Sequence, residues 1–408
     1  MIDFTTTVMT AIFALTYIGL AIGKLPWLRT DRAGIALLGA ALMLASGGVG
    51  IEDAARAIAF NTLALLLGLM ILVGNLRLSG VFGLINGWVV TRARRPLQLL
   101  AAVIAASGVL SAFLLNDAIC LVMTPIVLDI VVRLRRDPVP YLLAVAMASN
   151  IGSSATITGN PQNILIGSFS GMPYGSFAAA LSPVAAAGLV LTFGLIVLLH
   201  PHEFFGGGPV LDLAPPRLRL SRPLAIKSLI VTVAMVAAFF AGQPPAKVAL
   251  IVAGFMLLTR RLRSDRLYHE VDWPLLLMFA GLFVVVAGFE KALLTPDVVA
   301  RVNHLRLDQV PVLSVVAAVM ANLVSNVPAV LVLKPFVNAL ADPQRAWLTV
   351  AMASTLAGNL TILGSVANLI VVQGARSQGV AIGFWTYFRV GAPLTVLTIL
   401  IGAAWLSL

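Results

Sequence analysis

Apolar blocks long enough to cross a bilayer fall near 6–24, 33–51, 59–76, 176–199, 224–241, 246–259, 272–289 and 388–407. Two more, 140–171 and 347–375, are long enough to span but carry Gly, Ser, Thr and Asn at their centres, which predicts broken helices. Segments 97–132 and 310–341 also turn polar in the middle, and each reads as a helical hairpin that enters and leaves on the same side. Segment 79–93 is short, ends in Arg92, Arg94 and Arg95, and reads as a helix lying in the interface. The pattern predicts an all-α polytopic membrane protein with about ten transmembrane helices, two re-entrant hairpins and two broken helices.

The broken segments repeat one another. Residues 146–166, AMASNIGSSATITGNPQNILI, align without a gap on 351–371, AMASTLAGNLTILGSVANLIV, at an offset of 205. Ser149/Ser354, Thr156/Thr361, Gly159/Gly364 and Asn163/Asn368 are identical. Shared Ala and Ile mean little in so apolar a chain, whereas shared polar residues in apolar surroundings do. The hairpins repeat too: LNDAICLVMTP at 115–125 matches SNVPAVLVLKP at 325–335, with Asn116/Asn326 and Pro125/Pro335 identical. Interrupted hydrophobic segments in matching positions of two halves point to the binding site of a secondary transporter.

Composition agrees, and charge orients the chain. Of 408 residues 60% are hydrophobic and 11% charged, more apolar surface than a soluble fold can bury. The net charge of +11 does not indicate nucleic acid, because the basic residues sit in short clusters between apolar blocks, the positive-inside pattern. With the N-terminus outside, the predicted cytoplasmic segments 24–32, 77–96, 133–137, 217–227, 259–266 and 376–389 hold 20 of the 27 Lys and Arg residues. Counting either hairpin as a full crossing would destroy that asymmetry. Both termini are then outside. The absence of a basic n-region in MIDFTTT predicts that the first apolar block is a retained helix.

The predicted organisation is N-terminal transmembrane helices over 1–55, a first inverted repeat over 56–200 with a cytoplasmic-side hairpin (97–132) and broken helix (140–171), and a cytoplasmic linker over 201–223. Residues 224–267 are a helical pair or the start of the second repeat. The second inverted repeat spans 268–408, with an outer-side hairpin (310–341) and broken helix (347–375). Opposite orientation of the halves implies alternating access to a midplane site.

Backbone groups freed by a broken helix find no partner in lipid, so they must face protein, water or a ligand. The candidate substrate-binding residues are the neutral donors and acceptors in these stretches: Asn116, Asn150, Ser153, Thr156, Asn160, Asn163, Ser325, Asn326, Asn359, Thr361 and Asn368. Gly152, Gly159, Pro161, Gly358 and Gly364 are the candidates for unwinding the backbone. Asp117, at the first hairpin tip, is costly at membrane depth unless protonated, paired or bound to a cation. Its plain alternative is a structural cap. Lys334, in the second hairpin, matches Thr124 in the first, and is read either as a resident cation or as a snorkelling anchor. The single cysteine, Cys120, and four loop histidines argue against a metal centre, a cofactor site or a buried enzyme active site. The Gly-rich stretch 206–209 follows no strand and opens no helix, so it is not a phosphate loop.

The paired hairpins and broken helices resemble the ion transporter superfamily of divalent-anion, citrate and arsenite carriers. NDAICLVMTP, SNIGSSATITGNPQNILIG and AGNLTILGSVANLIV are most similar to its arsenite/antimonite efflux branch. The resemblance covers most of the chain and implies tips at Asn116–Asp117 and Ser325–Asn326, with unwound stretches from Asn150 to Asn163 and Gly358 to Asn368. Where dicarboxylate carriers have Ser-Asn-Thr, the tips here are Leu115-Asn116-Asp117 and Ser325-Asn326-Val327. That change disfavours sodium and favours protons, with Asp117 as carrier and Lys334 replacing a cation. No arginine falls in these segments, which suits a neutral trihydroxy metalloid better than a dianion. The expectation is proton-coupled arsenite/antimonite efflux. The alternatives are a dicarboxylate, citrate or other anion carrier, or a sodium/proton exchanger. The resemblance also implies a bacterial inner membrane, and allows two partners: an arsenite-stimulated ATPase and a second copy of the chain.

Overall fold

The computed structural model of the chain describes residues 4–23, 30–84, 87, 95–205, 220–259, 262–293 and 305–408. Every regular element among them is helical. In the first half these are α1 (Phe4–Ile22), α2 (Arg32–Ala45), α3 (Ile51–Ala57), α4 (Phe60–Ser79), α5 (Pro96–Phe113), α6 (Asn116–Arg133), α7 (Pro138–Ser153), α8 (Pro161–Ser170) and α9 (Tyr174–Leu199). A short α10 (Pro201–Phe205) leads towards the connection between halves. The second half holds α11 (Arg222–Phe240), α12 (Pro245–Leu257), α13 (Ser264–Tyr268), α14 (Trp273–Leu293), α15 (Val310–Val324), α16 (Asn326–Asn338), α17 (Pro343–Ala357), α18 (Val366–Ser377) and α19 (Phe384–Ser407). Among the described residues six helices are long and apolar enough to cross a membrane, and α1, α2, α12 and α15 add shorter apolar segments. Most of the interfacial helix predicted over 79–93, and most of the linker over 201–223, lie outside the described residues.

The order of elements is the same in both halves: two helices, a long helix, a hairpin, a broken helix and a final long helix. This repetition starts at α1 and again at α11, so α1 and α2 stand in the first half where α11 and α12 stand in the second. The packing crosses over. α2 runs along α14 of the other half, and α12 runs along α4. These two groups flank the hairpins and broken helices.

Local chemistry explains where helices stop. α5 and α6 are joined by Leu114 and Leu115 alone, and α15 and α16 by Ser325 alone, so each hairpin turns abruptly. α7 and α17 both begin with Pro behind a capping Asp: Asp137 accepts from Val139 N, and Asp342 from Arg345 N. α7 stops at Ser153 and the chain resumes as α8 behind Asn160, whose side chain accepts from Asn163 N. In the second half α17 stops at Ala357, a 3₁₀ turn follows over Ile362–Gly364, and Ser365 caps α18 by accepting from Ala367 N. Each second half-helix packs against the other half's hairpin, α8 on α16 and α18 on α6.

Candidate functional site

The two broken helices cross through a lattice of side-chain amides, and Asn150 is its hub. The Asn150 amide nitrogen donates to Asn359 Oδ1 and Asn368 Oδ1, both at 2.9 Å. Its Oδ1 accepts from Asn116 Nδ2 and Ser365 Oγ, both at 3.1 Å. One side chain from the first half thus holds two asparagines and a cap of the second half, together with the tip of its own hairpin. Asn160 and Gln162 complete the crossing by donating to Thr355 Oγ1 of α17, each at 3.2 Å. Asn359 Nδ2 reaches Met147 O at 3.5 Å.

Beneath this layer the unwound chain is stitched to its surroundings. Ser153 Oγ donates to Asn150 O at 2.7 Å and accepts from Asn160 Nδ2 at 3.0 Å. The Thr156 hydroxyl donates to Ala112 O at the end of α5. Asn116 N donates to Gly159 O at 2.9 Å, tying the first tip to the unwound stretch. Asn150, Ser153, Thr156, Asn160, Asn163, Asn359 and Asn368 are all buried. The lattice is therefore the packed wall behind the site.

The open space in front of it is a cavity of about 710 Å3. Of the predicted residues it is lined by Asn116, Asp117, Pro161, Ser325 and Asn326. Six helix N-termini face it: α2 at Arg32, α6 at Asn116, α8 at Pro161, α14 at Pro274, α16 at Asn326 and α18 at Val366. Side chains cap one N–H at four of these ends (Asp31, Asn160, Asp272 and Ser365), and the remaining first-turn N–H groups and the positive dipole ends favour oxygen-rich solutes. Three carboxylates temper that field. Asp31 and Asp272 are engaged as caps, accepting from Gly34 N at 2.9 Å and Leu275 N at 3.0 Å. The Asp117 side chain makes no hydrogen bond or ion pair among the described residues, and Asp272 lines the cavity with it. Asp117 also lines an adjoining cavity of about 130 Å3 with Arg77 and Glu270, which pair at 2.9 Å. Asn116 Oδ1 and Asn326 Oδ1, one at each tip, have no partner among the described residues.

Some predicted residues stand elsewhere. Lys334 does not line the cavity: it is paired with Glu290 of α14 at 3.0 Å and lies 5.4 Å from the Phe169 ring. Eight residues of helix, about 12 Å, separate it from Asn326 at the tip. Thr361 contributes its carbonyl, which accepts from Asn368 Nδ2 at 3.0 Å. The glycines do not unwind the backbone by adopting left-handed angles. Gly152, Gly159, Gly358 and Gly364 are absent from the positive-φ positions, and Gly152 lies inside α7. They provide room: a Cβ on Gly152 would strike the Gly108 carbonyl of α5, and one on Gly159 the Ser153 carbonyl.

Three lining or wall residues escape a reading based on repetition. Gln162 faces the cavity from the first turn of α8, but its counterpart is Ala367. Thr355 stands where the first half has Asn150. Arg32 comes from a connection that reads only as a cytoplasmic charge cluster, and it is the one basic side chain among the described residues lining the larger cavity.

The citrate transporter family model matches residues 17–357. An uncharacterized transporter of Mycobacterium tuberculosis (strain H37Rv) is 30% identical over 406 residues, covering 93% of this chain and 94% of the relative. A silicon efflux transporter of rice, Oryza sativa subsp. japonica, is 29% identical over 452 residues, with 93% of each covered. The crystal structure of the YdaH transporter of Alcanivorax borkumensis has the same fold at a TM-score of 0.61 and 17% identity, covering 99% of this chain and 97% of that one.

Proposed function

We propose that this chain, which belongs to the citrate transporter family, exports a small hydroxylated metalloid acid, arsenite or antimonite, in exchange for protons. The family and the relatives are transporters and not enzymes, and the chain is a multi-pass membrane protein. The observation that carries the finer reading is the chemistry of the cavity: both hairpin tips and six helix N-termini line it together with Asp117, a carboxylate whose side chain has no hydrogen-bond or ion-pair partner among the described residues. A neutral trihydroxy species suits such a lining. Its oxygens accept from the free first-turn amides that line the cavity, and its O–H groups donate to Asp117.

Asp117 is the proton carrier in this reading. Protonated, it enters the apolar body of the protein without an uncompensated charge; ionised, it must face the cavity or a ligand O–H. Alternating access about the amide lattice would carry the site from one face to the other. The rice relative, a silicon efflux transporter, is in keeping with a metalloid cargo. The charge bias along the chain supports a bacterial inner membrane with both termini outside.

One observation favours a second reading. Arg32 and the six N-termini would also hold a carboxylate or inorganic anion, in line with the family's description. Arsenite and antimonite uptake into everted vesicles under an imposed pH gradient, wild type beside Asp117→Asn, separates the two. Gradient-dependent uptake that the substitution abolishes is the expected result. Active vesicles that carry citrate but no metalloid would overturn the first reading in favour of the second.

A further inference from the structure

A second cavity, of about 540 Å3, lies among α4, α8, α9 and the connection between α11 and α12. Among the described residues it shares no lining residue with either cavity of the site. Its place is defined by α4. Asn61, Thr62 and Leu65, at the start of that helix, line it, whereas Met70, Val73 and Arg77 line the small cavity adjoining the site. Asn61 and Arg77 are sixteen residues apart, about 24 Å along a helix. The cavities therefore open at opposite ends of one crossing, and the first broken helix divides them. Pro161 and Gln162 face the site, while Ile157 and Ile164 face the second cavity.

The two mouths are built from matching elements of the two halves. The site's mouth is lined by Gly23, at the end of α1, Asp31, just before α2, and Pro274 at the start of α14. The second mouth consists of the α11–α12 connection, at Gly242 and Gln243, and the start of α4, at Asn61. α1–α2 and α11–α12 hold equivalent places in the chain, as do α14 and α4. Each mouth carries a single basic side chain among its described lining residues: Arg32, the first residue of α2, and Lys247, the third of α12. They differ in depth. Neither hairpin tip lines the second cavity, and beside it the Tyr174 hydroxyl lies 2.7 Å from Thr158 Oγ1 of the unwound stretch.

We propose that the second cavity is the opposite mouth of the same path, a docking site for the transported oxyacid or its anion on the other membrane face. Lys247 attracts the solute's oxygens there as Arg32 does at the site. The Tyr174–Thr158 contact closes it off from the hairpin tips in this conformation. The proposal rests on the transporter reading of the site, and its test has one arm independent of the cargo.

The chain's only cysteine, Cys120, is fully buried, so wild type is the unlabelled background. Ser168→Cys in the second cavity and Ser325→Cys in the first are exposed to a membrane-impermeant sulfonated maleimide in right-side-out and inside-out vesicles. The expected result is labelling of each from one face only, and from opposite faces. Labelling of both from the same face, or of Ser168→Cys from neither, overturns the proposal. In the second arm, arsenite exchange is measured from each face in Lys247→Gln and Arg32→Gln. Lys247→Gln should raise KM about tenfold on its own face, the loss of one charge-assisted contact, and leave the other face unchanged, whereas Arg32→Gln, in the site itself, should raise KM on both faces. A Lys247→Gln protein with unaltered KM on both faces overturns the docking role. Labelling needs no cargo, so opposite-face labelling without arsenite flux would retain the second mouth and reject the metalloid reading.

Discussion

Asn163 and Asn368, 205 positions apart, make the same pair of hydrogen bonds. Each gives its amide to carbonyls ten and seven residues earlier: Ser153 (3.2 Å) and Thr156 (3.0 Å) in the first half, Gly358 (2.7 Å) and Thr361 (3.0 Å) in the second. A chain that leaves the helix strands its carbonyls, and lipid supplies no replacement donor. One asparagine on the following half-helix answers that need in both halves. The remaining oxygen differs. Asn368 Oδ1 accepts from Asn150, whereas Asn163 Oδ1 has no partner among the described residues. Thr355 occupies the position matching Asn150, and its hydroxyl accepts from Asn160 and Gln162 instead.

That asymmetry ranks two substitutions. Asn368→Ala removes three hydrogen bonds and Asn163→Ala removes two, at about 1 kcal/mol each. Both should lower the melting temperature of the purified protein in detergent, Asn368→Ala by more. An equal or reversed order would mean that the Asn150 contact contributes nothing to holding the halves together.

Gly152 tests the close approach of α5 and α7. Any Cβ there meets the Gly108 carbonyl, which is backbone and cannot rotate away. Gly152→Ala should cost at least about 1–3 kcal/mol as overpacking and abolish folded protein on size-exclusion chromatography at elevated temperature. Gly194→Ala in α9, where a Cβ meets nothing within 4 Å, is the matched control and should behave as wild type.

The amide lattice is legible in the sequence for a physical reason. Asn residues in so apolar a chain call for partners, and recurrence marks Asn163/Asn368 (offset 205) and Asn116/Asn326 (offset 210) as matching positions, of which the first pair makes matching hydrogen bonds. Which half each one binds is not legible, because that depends on how the broken helices cross. Asn150 bonds mainly to the other half, and nothing local specifies it. Repetition also hides what the halves do not share: Gln162 is matched by Ala367, and Arg32 looks like any positive-inside charge. Lys334 illustrates the converse. Its residue type suggests a resident cation, yet its partner Glu290 lies 44 residues away on α14, beyond the reach of any pattern argument.

The Lys334–Glu290 pair links α16 of the second hairpin to α14, with side chains 31% and 30% exposed. A half-buried pair falls between exposed pairs, about 0.2–1 kcal/mol, and buried pairs broken by removing one partner, about 3–5 kcal/mol. Glu290→Gln and Lys334→Met should each destabilise by about 1–2 kcal/mol, and the double variant by less than their sum. A double-mutant cycle on thermal denaturation reads the coupling. Strict additivity would make Lys334 an interfacial anchor with no specific partner.

Ser325 alone joins the two helices of the second hairpin, and it does so at φ 77° and ψ 157°. Side chains disfavour that region, at a cost of about 1–3 kcal/mol, and glycine enters it freely. The first tip spreads its turn over Leu114 and Leu115, both at negative φ, and carries no such strain. Ser325→Gly should therefore raise the melting temperature, by the equivalent of about 1 kcal/mol after glycine's extra chain entropy, while Ser325→Ala gains nothing. The strain sits where the tip meets the cavity, beside Asn326 Oδ1, which has no partner among the described residues. If it keeps the tip poised for a solute, the stabilised Ser325→Gly protein should transport more slowly than wild type. A Gly variant that melts lower than wild type would show that the serine side chain itself holds the turn.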